Sequence, residues 1–137
     1  MERKLTVPGR FDRLAEICAF VAAAADEAGL DDSTSGRCQL AVDEACTNII
    51  EHGYGGEGKG SIEIVCQPRP GELTISLRDQ GREFDPTQAP EPKLDTSVDN
   101  MGIGGLGIYF MKQVMDSVTF SRANGTNTLG MVKRGNS

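Results

Sequence analysis

In the stretch "RCQLAVDEACTNIIEH" a glutamate and an asparagine, Glu44 and Asn48, stand one helical turn apart. At 100° per residue both project about 80–120° away from an apolar stripe of Cys38, Val42, Ala45 and Ile49, with Ala41 and His52 alongside. A carboxylate and a carboxamide placed there sit at the margin between core and solvent. The carboxylate can act as a general base or a metal ligand, and the carboxamide offers a neutral oxygen to a hard cation such as Mg²⁺. A solvated Glu/Asn face is the alternative that this helix alone leaves open. Further on, "RDQGREFDP" ends an alternating segment. Its Asp79 could accept a hydrogen bond from an exocyclic amine, and its Gly81 permits a turn and close backbone approach. An Asp-x-Gly is also a common turn. Four glycines then fall within six residues of "MGIGGLGIYF": Gly102, Gly104, Gly105 and Gly107. Backbone N–H groups freed at the start of a helix form an anion site that the helix dipole favours. The same run also reads as a flexible stretch before a helix. It is no Walker A loop, because no Lys-Ser/Thr follows, and no βαβ unit surrounds it. Finally, "NGTNTLG" puts Thr126 and Thr128 on a late hairpin, where turn chemistry alone would also place them.

These residues need elements to position them. Residues 4–8 read as a short strand before the Pro8-Gly9 break. From Phe11 to Ala28 the pattern is helical, with Phe11, Leu14, Ile17/Cys18 and Val21 as its core-facing stripe and Gly29 as its stop. A polar link, "DDSTSG", leads into a second helix over Arg37 to His52, which "GYGGEGKG" ends. Two strands follow, "SIEIVCQ" with Ile62, Ile64 and Cys66 on one face, and "ELTISLRD" with Leu73, Ile75 and Leu77 on one face. "PRPG" joins them as a hairpin. Residues 86–101 hold three prolines and no periodicity, so they read as a long loop of the kind that serves as a lid. A helix follows the glycines to about Met115, and "SVTFSRANGTNTLGMVKR" closes as a hairpin turning at Asn124-Gly125. Helices first, then an antiparallel sheet with one more helix between its strands, describe an α+β two-layer sandwich.

Composition narrows the chemistry. The 137 residues suit one domain with a real core, and a formal charge of -6 with no basic stripe argues against a nucleic-acid backbone as main partner. No window approaches the ~18 continuous apolar residues of a spanning helix. Arg3-Lys4 is followed by no apolar h-region, so the expected address is cytoplasmic. Cys18, Cys38, Cys46 and Cys66 form no CxxC pair and stand in apolar contexts, as small buried hydrophobes do. His52 is the single histidine, which excludes His-rich metal sites and argues against a Ser-His-Asp triad. It reads as a residue compensating a helix C-terminus.

Taken in order, "DEACTNIIEHGY", "RDQGREFDP", "MGIGGLGIYFMKQVMD" and "NGTNTLG" resemble the N, G1, G2 and G3 boxes of the GHKL ATPases. The likeness is greatest to the anti-sigma factor serine/threonine kinases of bacterial sporulation and stress partner switching, and it spans Phe11 to Val132. The resemblance implies the Bergerat fold: one histidine kinase-like ATPase domain over residues 1–137, with a mostly antiparallel sheet covered on one face by helices and an ATP lid at about 86–101. It also implies roles. Glu44 matches the general base that takes the proton of an acceptor serine, and Asn48 the Mg²⁺ ligand. Asp79 matches the adenine-reading carboxylate, and Gly81 the turn that lets the base sit close. Gly102, Gly104, Gly105 and Gly107, with Leu106 between, match the phosphate-side hinge of the lid. Thr126 matches the G3 threonine near the adenine end. Phe84 is expected to pack under the lid base, and Lys93, Arg82 and Lys112 are candidates for a cation at the γ-phosphate. The implied activity is Mg-ATP-dependent phosphorylation of a STAS-domain anti-anti-sigma protein, together with sequestration of a sigma factor. The alternative is a nucleotide-gated binding module with little kinase activity. ATP/ADP and Mg²⁺ are the implied cofactors. Dimerisation is suggested only by the likeness, and neither direct nucleic-acid binding nor a membrane is expected.

Overall fold

The computed structural model describes residues 1–88 and 105–135. Five strands form one antiparallel sheet: β1 (Arg3–Pro8), β2 (Ser61–Arg69), β3 (Glu72–Asp79), β4 (Ser117–Ala123) and β5 (Thr126–Arg134). Their order across the sheet is β1-β2-β3-β5-β4, so β3 and β5 lie side by side although α3 (Gly105–Val114) and β4 come between them in sequence. Strand alternation divides the two faces. Ile62, Ile64 and Cys66 of β2, Leu73, Ile75 and Leu77 of β3, and Leu129 and Met131 of β5 face inward, each 5% exposed or less. Glu63, Gln67, Thr74, Ser76 and Arg78 take the other face. Each fully buried aliphatic side chain contributes about 1.5–3 kcal/mol, so this inward face is the main source of stability.

The helices α1 (Leu14–Glu27) and α2 (Asp32–Asn48) cover that inner face. Ile17, Val21, Ala24 and Ala25 of α1 and Cys38, Val42, Ala45 and Cys46 of α2 are all buried in one continuous cluster with the strands. The α2 stripe therefore runs where its spacing puts it. Cys38, Cys46 and Cys66 are buried free thiols and Cys18 is half-buried. Burial pushes Cys38 up to about 11 and Cys66 up to about 12. All four behave as small hydrophobes.

Four local readings are revised. Phe11 is 40% exposed, because Phe11–Arg13 is a short 3₁₀ turn and the α-helix begins only at Leu14. The polar "DDSTSG" is no link: α2 starts at Asp32, with Asp31 as its N-cap accepting a 2.7 Å bond from the backbone N–H of Thr34. At its far end α2 stops at Asn48 and continues as a π-helical turn, Ile49–Gly53, closed by a 2.8 Å bond from Tyr54 N–H to the Ile49 carbonyl. The third helix begins inside the glycine run, at Gly105. The late hairpin is as its residues dictate: Asn124 (φ 53°) and Gly125 (φ 77°) both take the left-handed conformation of a type I′ turn. Most of the expected 86–101 loop lies outside the described residues, apart from a 3₁₀ turn at Pro86–Gln88. Among the described residues no helix is long and apolar enough to cross a membrane.

Candidate nucleotide site

A cleft open to solvent lies where the end of α2, the end of β3 and the start of β5 meet. Its walls are apolar: Ala45 and Ile49 from the helix side, Leu129 from β5, and Phe84 and Pro86 from the segment after β3. Its polar groups are few, namely Asn48, Asp79, Arg82 and Asn127. An apolar slot with a few fixed polar atoms is the usual make-up of a small-molecule site.

Asp79 anchors the polar side. It ends β3 and is 4% exposed. Its Oδ1 accepts from the Gly81 N–H at 2.9 Å and from Asn127 Nδ2 at 3.0 Å. With Oδ1 engaged, Oδ2 is the oxygen left to accept from a ligand in the cavity. Gly81 is needed for proximity. A Cβ there would lie 2.6 Å from the carbonyl carbon and oxygen of Gly53, in the π-helical turn. The two segments are tied by Arg82, whose N–H donates to the Gly53 carbonyl at 2.9 Å and whose Nε donates to the His52 carbonyl at 2.7 Å. The extra residue of the π-helical turn thus brings Gly53 against the loop after β3 and forms the cavity floor.

On the helix side, Asn48 is 5% exposed and donates through Nδ2 to the Glu44 carbonyl at 2.9 Å. That bond fixes the amide and leaves Oδ1, a neutral hard oxygen, for a cation. Glu44 is half-buried one turn earlier, and its carboxyl is held above the usual glutamate range by burial first, then by the charges of Asp43 and Glu51. A half-buried carboxylate with a raised pKa is a better proton acceptor near neutrality than an ordinary surface glutamate.

Other expected residues fall differently. Thr126 does not join Asp79. Strand alternation turns it to the opposite face of the sheet, where it lines a shallow depression with Thr6, Glu63 and Arg78. The residue beside Asp79 is its direct cross-strand partner, Asn127, 4% exposed. The pattern could have found it, since Asn127, Leu129 and Met131 share one face of β5. Phe84, expected under the lid base, lines the cavity and packs at a tilt against His52, ring centroids 5.1 Å apart; most of the expected lid lies outside the described residues. His52 sits in the π-helical turn with its Nε2 buried and 3.6 Å from Glu51, too long for a hydrogen bond. Gly105, Leu106 and Gly107 form the first turn of α3, whereas Gly102, Gly104 and Lys93 lie outside the described residues. Of the other cation candidates, Arg82 lines the cavity and Lys112 donates to the Thr87 carbonyl at 3.3 Å.

An antiparallel sheet under helices, with a buried carboxylate lining a cavity beside a helix bearing Glu and Asn one turn apart, describes an ATP-binding domain of the histidine kinase type. The chain belongs to the histidine kinase-like ATPase domain family, which it matches over residues 7–133. It is 35% identical over 99 residues to a serine-protein kinase RsbW of Bacillus velezensis, covering 69% of this chain and 61% of that one. It is 32% identical over 90 residues to the serine/threonine-protein kinase BtrW of Bordetella bronchiseptica, covering 66% and 63%. The matched segment thus spans less than two thirds of the length of these relatives. The fold is similar to a crystal structure of the RsbU and RsbW domains of a Mycobacterium tuberculosis protein, with a TM-score of 0.65 at 18% identity, covering 98% of this chain and 32% of that one.

Proposed function

We propose that the cavity binds ATP with Mg²⁺ and that the chain transfers the γ-phosphoryl group to a serine or threonine of a partner protein. The observation that carries this reading is the convergence at one cavity of a buried carboxylate with one free oxygen, Asp79, and a buried carboxamide with a free oxygen, Asn48, one turn from Glu44. The relatives named as serine- or serine/threonine-protein kinases support the phosphotransfer part. Asp79 Oδ2 accepts the exocyclic amine of adenine, and the apolar walls take the faces of the ring. Asn48 Oδ1 is the cation ligand. Gly102, Gly104, Gly105 and Gly107, with Leu106, hold the phosphate end. Bound Mg-ATP supplies the phosphoryl group and the divalent charge that offsets its negative oxygens. Glu44 takes the proton of the attacking hydroxyl.

In this reading the acceptor is a STAS-domain anti-anti-sigma protein, and the same chain holds a sigma factor inactive, as a homodimer in the cytoplasm. Labelled ATP, Mg²⁺ and a STAS-domain protein from the same genome test it. Label on the partner that disappears with Glu44→Ala, while ATP binding persists, supports the reading. ATP binding with no label on the partner replaces it with a nucleotide-gated binding module. Undiminished labelling by Glu44→Ala removes Glu44 as the base.

A further inference from the structure

Behind Asp79 lies a row of polar side chains that none of the roles above uses. Asp79 of β3 pairs directly with Asn127 of β5, and Asn127 pairs directly with Arg122 of β4. Three polar residues on three adjacent strands thus stand side by side. Arg122 Nη1 donates to Asn127 Oδ1 at 2.6 Å and to the Gly81 carbonyl at 2.9 Å. Asn127 Nδ2 in turn donates toward Asp79 Oδ1 (3.0 Å), the Gly81 carbonyl (3.1 Å) and the Arg82 carbonyl (3.0 Å). The chain runs from guanidinium through carboxamide to carboxylate, and each bond polarises the next.

This row has a consequence for what the cavity accepts. The Asn127 amide has two hydrogens and three acceptors already within reach, so it has no donor to offer a ligand. From this pair the base edge therefore meets only an acceptor, Asp79 Oδ2. A purine with a 6-amino group satisfies that acceptor. A 6-oxo purine places a second acceptor against it and leaves both unpaired, which buried sites penalise heavily. The selectivity holds only while the amide stays turned away from the cavity. Three acceptors hold it at Nδ2, and among the described residues Arg122 supplies the bond that holds it at Oδ1.

Resting on the reading of the cavity as an adenine-nucleotide site, we infer that Arg122 is a positioning residue for base selection: it helps to lock Asn127 so that the Asp79–Asn127 pair presents only an acceptor and discriminates 6-amino from 6-oxo purines. Without Arg122 the amide loses its bond at Oδ1 and turns more readily, lending an N–H to a 6-oxo group, and the loop carrying Gly81 loses one anchor. Arg122 is itself exposed on an edge strand, so its replacement leaves the core untouched.

The test is calorimetric binding of Mg-ATP and Mg-ITP to the full chain, wild type against Arg122→Met and Arg122→Lys. The ATP-over-ITP affinity ratio is expected to fall about tenfold in Arg122→Met, through weaker ATP and stronger ITP binding. Arg122→Lys, able to restore one of the two bonds, is expected to lie between. A purely structural role for Arg122 would weaken both nucleotides alike, so an unchanged ratio overturns the inference while leaving the nucleotide site standing. Wild type that binds neither nucleotide overturns the nucleotide reading and this inference with it.

Discussion

Gly81→Ala is the substitution whose effect follows most directly from the geometry. Gly81 is not one of the left-handed glycines, so alanine is compatible with its backbone and any effect comes from the added methyl. That methyl would lie 2.6 Å from the Gly53 carbonyl carbon and oxygen and 3.0 Å from its Cα, all backbone atoms of a hydrogen-bonded turn. Relief needs the two segments to part by roughly 0.8 Å, which carries the 2.9 Å bond from Arg82 N–H to the Gly53 carbonyl beyond bonding range. One such bond is worth about 1 kcal/mol, and overpacking of this kind costs about 1–3 kcal/mol, so a loss of about 2–4 kcal/mol is expected. For a domain of this size that lowers Tm by on the order of 10 °C. The same opening moves the N–H that holds Asp79 Oδ1, so ATP affinity falls too. Gly36→Ala is the control: Gly36 lies in α2 with nothing within 4 Å of its new methyl. It is expected to stabilise by about 0.5–1 kcal/mol. Thermal melts and ATP titrations of both variants read the outcome. A Gly81→Ala Tm within about 2 °C of wild type would refute the close-contact argument.

The remaining predictions concern the polar residues and the thiols. Because the Glu44 pKa is raised on folding, its charge opposes the fold above that pKa, and the cost is relieved as pH falls through it. Glu44→Gln is therefore expected to raise Tm at pH 7 while abolishing transfer, and the acid limb of the wild-type rate profile is expected above the ordinary glutamate value; a lower Tm or an ordinary limb counts against it. Asn127→Leu strips the hydrogen-bond donor from Asp79 and two carbonyls and is expected to cost about 2–4 kcal/mol by urea unfolding. Thr126→Ala, on the other face of the sheet, is expected to leave ATP affinity within about twofold of wild type by the same titration, since it loses no contact at the cavity. Cys38, Cys46 and Cys66 stay protonated and buried in the native state, so a thiol reagent at pH 8 is expected to modify at most Cys18 until the chain is unfolded.

Much of the fold was legible because periodicity carries it. The alternation of Ile62, Ile64 and Cys66, the α2 stripe from Cys38 to Ile49 and the Asn124-Gly125 turn each have one low-energy solution. Asp79 and Asn48 were legible as candidates for the same reason, through their place at a strand end and on a helix flank. What escaped depended on contacts distant in sequence. Nothing in "IIEHG" announces an extra residue in the helical turn; its reason is Gly53 meeting Gly81, 28 positions later. Thr126 is expected from its match to the G3 threonine of the resembled family, whereas the inward phase of β5, set by Leu129 and Met131, puts Asn127 at the cavity. Nothing in the sequence around Arg122 points to a role, and only the register of three strands gives it Asn127 as a partner.

Calorimetric titration of Mg-ATP into wild type and Asp79→Asn tests the central claim most directly, because Asp79 is the group on which the cavity, the row behind it and the choice of base all depend. The account predicts saturable binding to wild type and at least tenfold weaker binding to Asp79→Asn, whose melting temperature is recorded alongside to show that the fold persists. Equal affinity in the two proteins, or no binding to wild type at millimolar nucleotide, would contradict it.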